Sequence, residues 1–341
     1  MIISKTPFRM SFFGGGTDYP EWYLKNGGLV LSSTFDKYCY ITCRNLPPFF
    51  DHKYRITYSQ VEHKKSVFDI EHKAIKAVIQ KRGIVEGLEI HCDADLPART
   101  GLGSSSTFIV GLTNALAHLQ AQKLSPKALA EATIEIERKV LLETVGSQDQ
   151  YAAAFGGLNL IEFSQTGKIN VKPVVLEPKR YQNFQEHLML FFTGISRSAP
   201  VIAKKKVAQF ESKHAELSLM LSSVIEATKI LENSSDIQGF GELMHTNWLL
   251  KKSLCDSISN SKIDAAYTAA RRAGAIGGKL LGAGGGGFLL MFVPPEKQPS
   301  VKVALSNLIQ IPFRFENKGA EIIYDGTKEL QFQPLRRREV A

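Results

Sequence analysis

The chain is poor in the residues that staple, cage or anchor a protein. Its 341 residues hold four cysteines, Cys39, Cys43, Cys92 and Cys255, with no pair at metal-ligand spacing. Neither a disulfide framework nor a zinc site is expected, and most of these thiols should be buried and free. No uncharged apolar run reaches the ~18 residues that a membrane helix needs. The first residues, Ile2-Ile3 followed by Lys5 and Arg9, lack an apolar signal core and a small-residue cleavage site, so a cytoplasmic protein is expected. Internal repeats and low-complexity tracts are missing, and so is a dominant basic tail. The formal charge of +9 is instead divided among short clusters: Lys64-Lys65, Lys204-Lys205-Lys206, Lys251-Lys252, Arg271-Arg272 and Arg336-Arg337-Arg338. Aromatic residues do not interleave with them as a nucleic-acid stacking platform requires. These lysines read mainly as solvated helix faces, no nucleic acid or membrane partner is expected, and the cationic surplus suits anionic small-molecule substrates.

What is present is glycine in three places. Pro7-Phe8-Arg9-Met10-Ser11-Phe12-Phe13-Gly14-Gly15-Gly16-Thr17-Asp18-Tyr19 runs from an apolar strand into a turn that ends in hydroxyl and carboxylate groups. Gly101-Leu102-Gly103-Ser104-Ser105-Ser106-Thr107 opens an apolar helix, where unpaired N–H groups and hydroxyls can hold phosphate or metal. It is not a Walker A loop, which ends in Gly-Lys-Ser/Thr, nor a Rossmann fingerprint, because serine replaces the third glycine. Leu280-Leu281-Gly282-Ala283-Gly284-Gly285-Gly286-Gly287 precedes the apolar run 288–293.

At 44% hydrophobic, a chain of this length can bury a full core and is expected to form two domains. Strand patterns fall at 2–13, 28–45, 54–60, 87–93, 157–163, 169–176, 188–193, 288–293, 311–315 and 320–325. Helical patterns fall at 68–82, 104–121, 126–144, across 200–273 and near 298–309, with Ser125-Pro126 as an N-terminal signal. The Pro-containing stretch 168–185 is the expected junction between residues 1–180 and 181–341.

The three glycine motifs, in this order and spacing, resemble those of the GHMP small-molecule kinases. The resemblance spans essentially the whole chain. It implies an α+β fold of two domains, the first like domain 2 of ribosomal protein S5 and the second ferredoxin-like, with the site in the cleft between them. It also implies ATP as phosphate donor and Mg²⁺ as cofactor. Phosphoryl transfer to an alcohol rests on alignment, charge neutralisation and removal of one proton.

On that resemblance, residues 101–107 cradle the nucleotide phosphates. Ser105 and Glu137 are the metal ligands, although the Glu137–Asp149 spacing is one residue longer than in mevalonate kinases. Asp149, in Gly146-Ser147-Gln148-Asp149-Gln150-Tyr151, takes the acceptor proton, and Arg9 orients it; Asp149 could equally cap the helix that follows. The first motif is close to that of galactokinases, whose Thr-Asp-Tyr binds sugar hydroxyls, but Gly15 and Gly16 stand where those enzymes carry Glu-His. Gly14-Gly15-Gly16-Thr17-Asp18 is similar instead to D-glycero-D-manno-heptose 7-phosphate kinases, which phosphorylate the anomeric hydroxyl. Gly15, Gly16, Thr17, Asp18, Gly284 and Gly285 are thus expected at the sugar. Ser196 and Arg197, with Lys204 as a weaker candidate, would grip the sugar phosphate. The alternatives are a kinase for an unphosphorylated fucose- or galactose-like sugar, and a non-catalytic nucleotide-sensing or RNA-binding relative. A homodimer is left open.

Overall fold

A computed structural model describes residues 1–98, 100–195, 199–233 and 236–326. The first sheet is built on β1 (Ile2–Phe13) and β2 (Gly28–Asn45), an antiparallel pair joined through the first glycine turn and α1 (Pro20–Asn26). β2 is 18 residues long and serves several partners. Its first part pairs with β6 (Leu158–Phe163), which continues to β7 (Ile169–Pro173), and its last part pairs with β5 (Leu88–Ala94). The short hairpin β3 (Tyr54–Thr57) and β4 (Val61–Lys64) extends that edge, with β3 parallel to β5. Along β2, Cys39, Ile41 and Cys43 are buried while their neighbours are partly open, the period of two expected where only one face is covered. From Thr6 onward β1 is buried without alternation, because helices lie against both of its faces.

One of these is α3 (Ser104–Leu119), whose Ile109, Val110, Leu112, Ala115, Leu116 and Ala117 are buried. A helix apolar nearly all round belongs in an interior. α2 (Lys73–Lys81), α4 (Pro126–Glu135) and α5 (Gln148–Phe155) complete this layer. The helix expected over 126–144 ends at Glu135 and passes into one π turn, Ile136–Val140, where the Leu141 N–H reaches back to the Ile136 carbonyl at 2.9 Å. The extra residue per turn changes which side chains face α3 and α5, and π turns gather at functional sites.

After α6 (Pro178–Glu186) comes a second antiparallel sheet, in the order β11 (Ile309–Ile311), β8 (Leu188–Phe192), β10 (Phe288–Phe292), β9 (Gly277–Leu280). The stretch expected to be helical across 200–273 is four helices, α7 (Ala199–Val207), α8 (His214–Glu232), α9 (Gln238–Ser253) and α10 (Ser261–Arg272). α11 (Gln298–Ala304) is shorter than the expected 298–309. Two final strands, β12 (Phe315–Glu316) and β13 (Glu321–Asp325), pair with β2 and β1, so residues counted with the second half return to the first sheet. Phe12 packs edge-on against Phe184, Phe240 and Phe315 at centroid distances of 5.3, 5.8 and 6.2 Å, tying β1 to α6, α9 and β12. No helix among the described residues is long and apolar enough to cross a membrane.

Candidate active site

Arg9 lies on the doubly covered half of β1 and Asp149 in the first turn of α5, where the helix N-terminus favours an acidic side chain. Arg9 Nε donates to Asp149 Oδ1 at 2.8 Å and Nη2 to Oδ2 at 2.7 Å, while Nη1 donates to the Gly101 carbonyl at 2.8 Å. A forked guanidinium fixes the carboxylate in two dimensions, as a single cation cannot. The Arg9 side chain is 5% exposed and that of Asp149 23%, so the carboxylate keeps an open side. Asp149 does not cap its helix: the N-cap position is Ser147.

Asp18 is buried beside this pair. Its Oδ1 accepts the Gly16 N–H at 2.8 Å, and its carbonyl accepts the Ser147 N–H at 2.9 Å, which ties the first motif to the start of α5. Thr17 is fully buried; its hydroxyl lies 2.9 Å from the carbonyl oxygens of both Gly14 and Leu29 and holds the turn together. A Cβ at Gly15 would fit in ordinary contact with Gln148 Nε2 at 3.8 Å and Ser11 Oγ at 3.9 Å. Ser11 Oγ and Gln148 Oε1 are buried without a hydrogen-bond partner among the described residues. Polar groups left in this way are suited to hydroxyls supplied from outside.

In the second motif, Gly103 is the N-cap of α3 in the left-handed region (φ 77°) and provides no side-chain cap, leaving the first N–H groups of a 16-residue helix free. Ser104 Oγ and Thr107 Oγ1 are buried and unpartnered among the described residues, and Leu102 anchors the loop in the core while its carbonyl accepts the Arg9 N–H at 3.3 Å. Ser106 Oγ donates to Glu137 Oε1 at 2.7 Å, and the Gln150 amide donates to Glu137 Oε2. Ser105 is exposed at the loop surface. Glu137, on the π turn, is fully buried, and burial pushes its carboxyl up to about 8. A buried carboxylate with hydroxyls beside an uncapped helix start suits Mg²⁺, which takes few protein oxygens and shares the rest with phosphate and water. Among the described residues no cluster of three or more His, Cys, Asp or Glu side chains forms an all-protein cage.

The third motif closes on the second. Gly101 and Gly282 pass so close that a Cβ on Gly282 would run into the Gly101 backbone, and one on Gly101 into the Leu281 carbonyl. Gly284 and Gly285 lean on the turn before α10, with the Gly285 N–H donating to the Ile258 carbonyl at 2.7 Å. Ser196 and Arg197 lie outside the described residues. Lys204 is exposed, as are many solvated lysines, but Lys206 in the same cluster is buried, contrary to its reading as part of a solvated face. The signal was available: Ile202, Ala203 and Lys206 fall on one helical stripe. Lys251 and Lys279 are buried too, donating to carbonyls of Leu280 and Gly282 (both 2.7 Å) and of Phe12 (2.8 Å).

Comparison with known proteins gives the family. Residues 70–157 match the GHMP kinases N terminal domain and residues 225–309 the GHMP kinases C terminal domain. The chain is 30% identical, over 89% of its length and 93% of the relative, to the D-glycero-alpha-D-manno-heptose 7-phosphate kinase of Campylobacter jejuni. It is 25% identical, over 91% of its length and 32% of the relative, to the bifunctional fucokinase/GDP-fucose pyrophosphorylase of Arabidopsis thaliana. The crystal structure of a D-glycero-D-manno-heptose 1-phosphate kinase from Bacteriodes thetaiotaomicron superposes with a TM-score of 0.79 at 27% identity, covering 95% of this chain and all of that one. With the phosphate-type loop, the Arg9–Asp149 pair and this similarity in hand, the chain belongs to the GHMP kinases, as a sugar kinase that transfers phosphate to an alcohol.

Proposed function

We propose that this chain transfers the γ-phosphate of ATP to the anomeric hydroxyl of D-glycero-D-manno-heptose 7-phosphate, giving the 1,7-bisphosphate for nucleotide-activated heptose synthesis. What carries this reading is the meeting of Asp18 and Asp149 beside Gly15, which has no side chain to fill the site. A carboxylate to hold the sugar beside a carboxylate that can take a proton, without the bulk a galactokinase-like Glu-His would add, supports this acceptor. The similarity to the Campylobacter jejuni heptose 7-phosphate kinase supports the choice of sugar.

The roles follow from position. The free N–H groups at the start of α3 hold the nucleotide phosphates, and Ser104 adds a hydroxyl. For the metal-site hydroxyl, expected at Ser105, we take Ser106, because its Oγ is the one bonded to Glu137. Mg²⁺ held by Ser106 and Glu137 would neutralise the charge of the terminal phosphates. Asp149 accepts the proton of the sugar hydroxyl while Arg9 keeps its oxygens in line, and Asp18 accepts hydrogen bonds from neighbouring hydroxyls. Gly284 and Gly285 wall the sugar side, and the 7-phosphate is assigned to Ser196 and Arg197, outside the described residues, from the sequence alone.

The deciding experiment is an ADP-release screen over hexoses, heptoses and their phosphates with Mg²⁺, followed by ³¹P NMR of the product. The new phosphate is expected on the anomeric oxygen of the heptose 7-phosphate. Equal or better turnover of free fucose or galactose overturns that acceptor.

A further inference from the structure

Three lysines are buried around the glycine loops, and removing an ammonium from water costs several kcal/mol unless something replaces the lost hydration. Lys251 and Lys279 have their replacement in the backbone carbonyls of Leu280, Gly282 and Phe12. Arg9, the fourth buried cation, is held by Asp149 and Gly101. Lys206 has no such arrangement. It is 5% exposed, yet among the described residues its side chain makes neither a hydrogen bond nor an ion pair, and its contact is with the face of Tyr19, 4.4 Å from Nζ to the ring centroid.

The charges around it show where it stands. Burial lowers its pKa, and the groups that oppose this are Asp18 first and Asp149 second, then Cys255. Tyr19, on whose ring the ammonium lies, follows Asp18 in the chain, and the Asp18 carbonyl accepts the Ser147 N–H at 2.9 Å in the turn that delivers Asp149. Neither Asp18 nor Asp149 closes on it to ion-pair distance. An ammonium that lies on the Tyr19 ring next to Asp18, with no side-chain partner among the described residues, keeps N–H donors for an oxygen supplied from outside.

We propose that Lys206 is a catalytic residue that donates a hydrogen bond to the reacting hydroxyl oxygen of the acceptor. This rests on the reading of Asp149 as the group beside that hydroxyl. As the oxygen attacks, its proton passes to Asp149 and its lone pair forms the bond to the γ-phosphorus. The bond from that phosphorus to the bridging oxygen breaks, and its electron pair leaves with ADP. Lys206 keeps its protons and stabilises the negative charge that builds on the attacking oxygen. A donor already fixed in a desolvated pocket is effective there because nothing reorganises during the step. Tyr19 holds the ammonium from behind without taking up its N–H donors.

The test compares Lys206→Met, Lys206→Ala and the wild type, each with the acceptor that the wild type turns over best. Lys206→Met should lower kcat by about 10²-fold, the scale of losing one pre-placed donor, while Mg·ATP affinity by calorimetry stays within about threefold. Ethylammonium or propylammonium added to Lys206→Ala should restore kcat by about tenfold or more, and tetramethylammonium, which has no N–H, should restore nothing. A kcat for Lys206→Met within about threefold of wild type overturns the proposal, as does a loss matched in Mg·ATP affinity or a rescue equal with tetramethylammonium. Should Lys206→Ala fail to fold, Lys206→Met with a wild-type thermal midpoint decides alone. Wild-type turnover of a sugar other than heptose 7-phosphate removes the acceptor proposed above and leaves the comparison intact. A folded wild type inert toward every sugar overturns both.

Discussion

Asp18 Oδ2 fills the space beside Gly146 in which a side chain at position 146 would have to stand. This contact joins the first glycine motif to the turn that delivers Asp149, and the Ser147 N–H to Asp18 carbonyl bond seals it. Gly146→Ala should force Asp18 away from the Gly16 N–H and cost about 1–3 kcal/mol, as overpacking commonly does. A raised KM for the sugar with an unchanged Kd for Mg·ATP is the expected pattern. Kinetics indistinguishable from wild type would show that the Asp18 carboxylate does not hold the acceptor.

Asp149→Asn retains the shape of the side chain but loses the proton acceptor and one of two charge-assisted bonds to Arg9. Turnover should fall by about 10²–10⁴-fold with nucleotide binding retained. Rapid-quench measurement of the phosphoryl transfer step, beside calorimetry with Mg·ATP, separates the two, and unchanged turnover removes the assignment.

Glu137 is held between Ser106 and Gln150 at the π turn. Glu137→Gln keeps the volume and hydrogen-bonding capacity but removes the charge that a divalent cation requires. The Mg²⁺ concentration for half-maximal activity should rise by about tenfold or more, the scale of losing one ion ligand. A titration of rate against free Mg²⁺ that leaves the midpoint in place would return Glu137 to a purely structural role.

Arg197→Glu tests the grip on the sugar's own phosphate. The half-saturating concentration of a sugar phosphate should rise far more than that of ATP or of the matching free sugar. Equal increases for all three would count against the role.

Lys279 carries a pH signature. Burial, reinforced by Arg9 and Lys206, lowers its pKa from 10.5 to about 7. The unfolded chain holds this proton up to about 10.5 whereas the folded one releases it near 7, so between those values the unfolded state binds more protons and stability rises with pH. Relative to Lys279→Met, the wild type should therefore gain in urea midpoint between pH 7 and pH 9.5. Parallel midpoints for the two proteins would mean that the ammonium is better solvated than its burial implies.

Much of this was legible from the chain alone, for local reasons. A twelve-residue apolar strand, the long β2 with its alternating end and the helix opening at Ser104 follow from near-neighbour periodicity and cap chemistry. So did the meeting of Arg9 and Asp149, through the resemblance of their motifs. Short elements escaped: α1 and β4 are seven and four residues long, and β9 begins Gly277-Gly278, which offers no side-chain pattern to read.

The order of elements, the glycine loops and the residue types at the site were determined by the sequence itself, because each depends on residues a few positions apart. The tertiary structure alone decided which side chain does what. Ser105 and Ser106 differ by about 100° around the helix axis, and only the packing of α3 against the π turn selects Ser106 for Glu137, 31 positions away. Lys204, Lys205 and Lys206 are alike in composition, and only the face of α7 that meets Tyr19 makes the last of them a buried cation. The return of β12 and β13 to the first sheet is likewise set by pairing between chain ends, which no local pattern encodes.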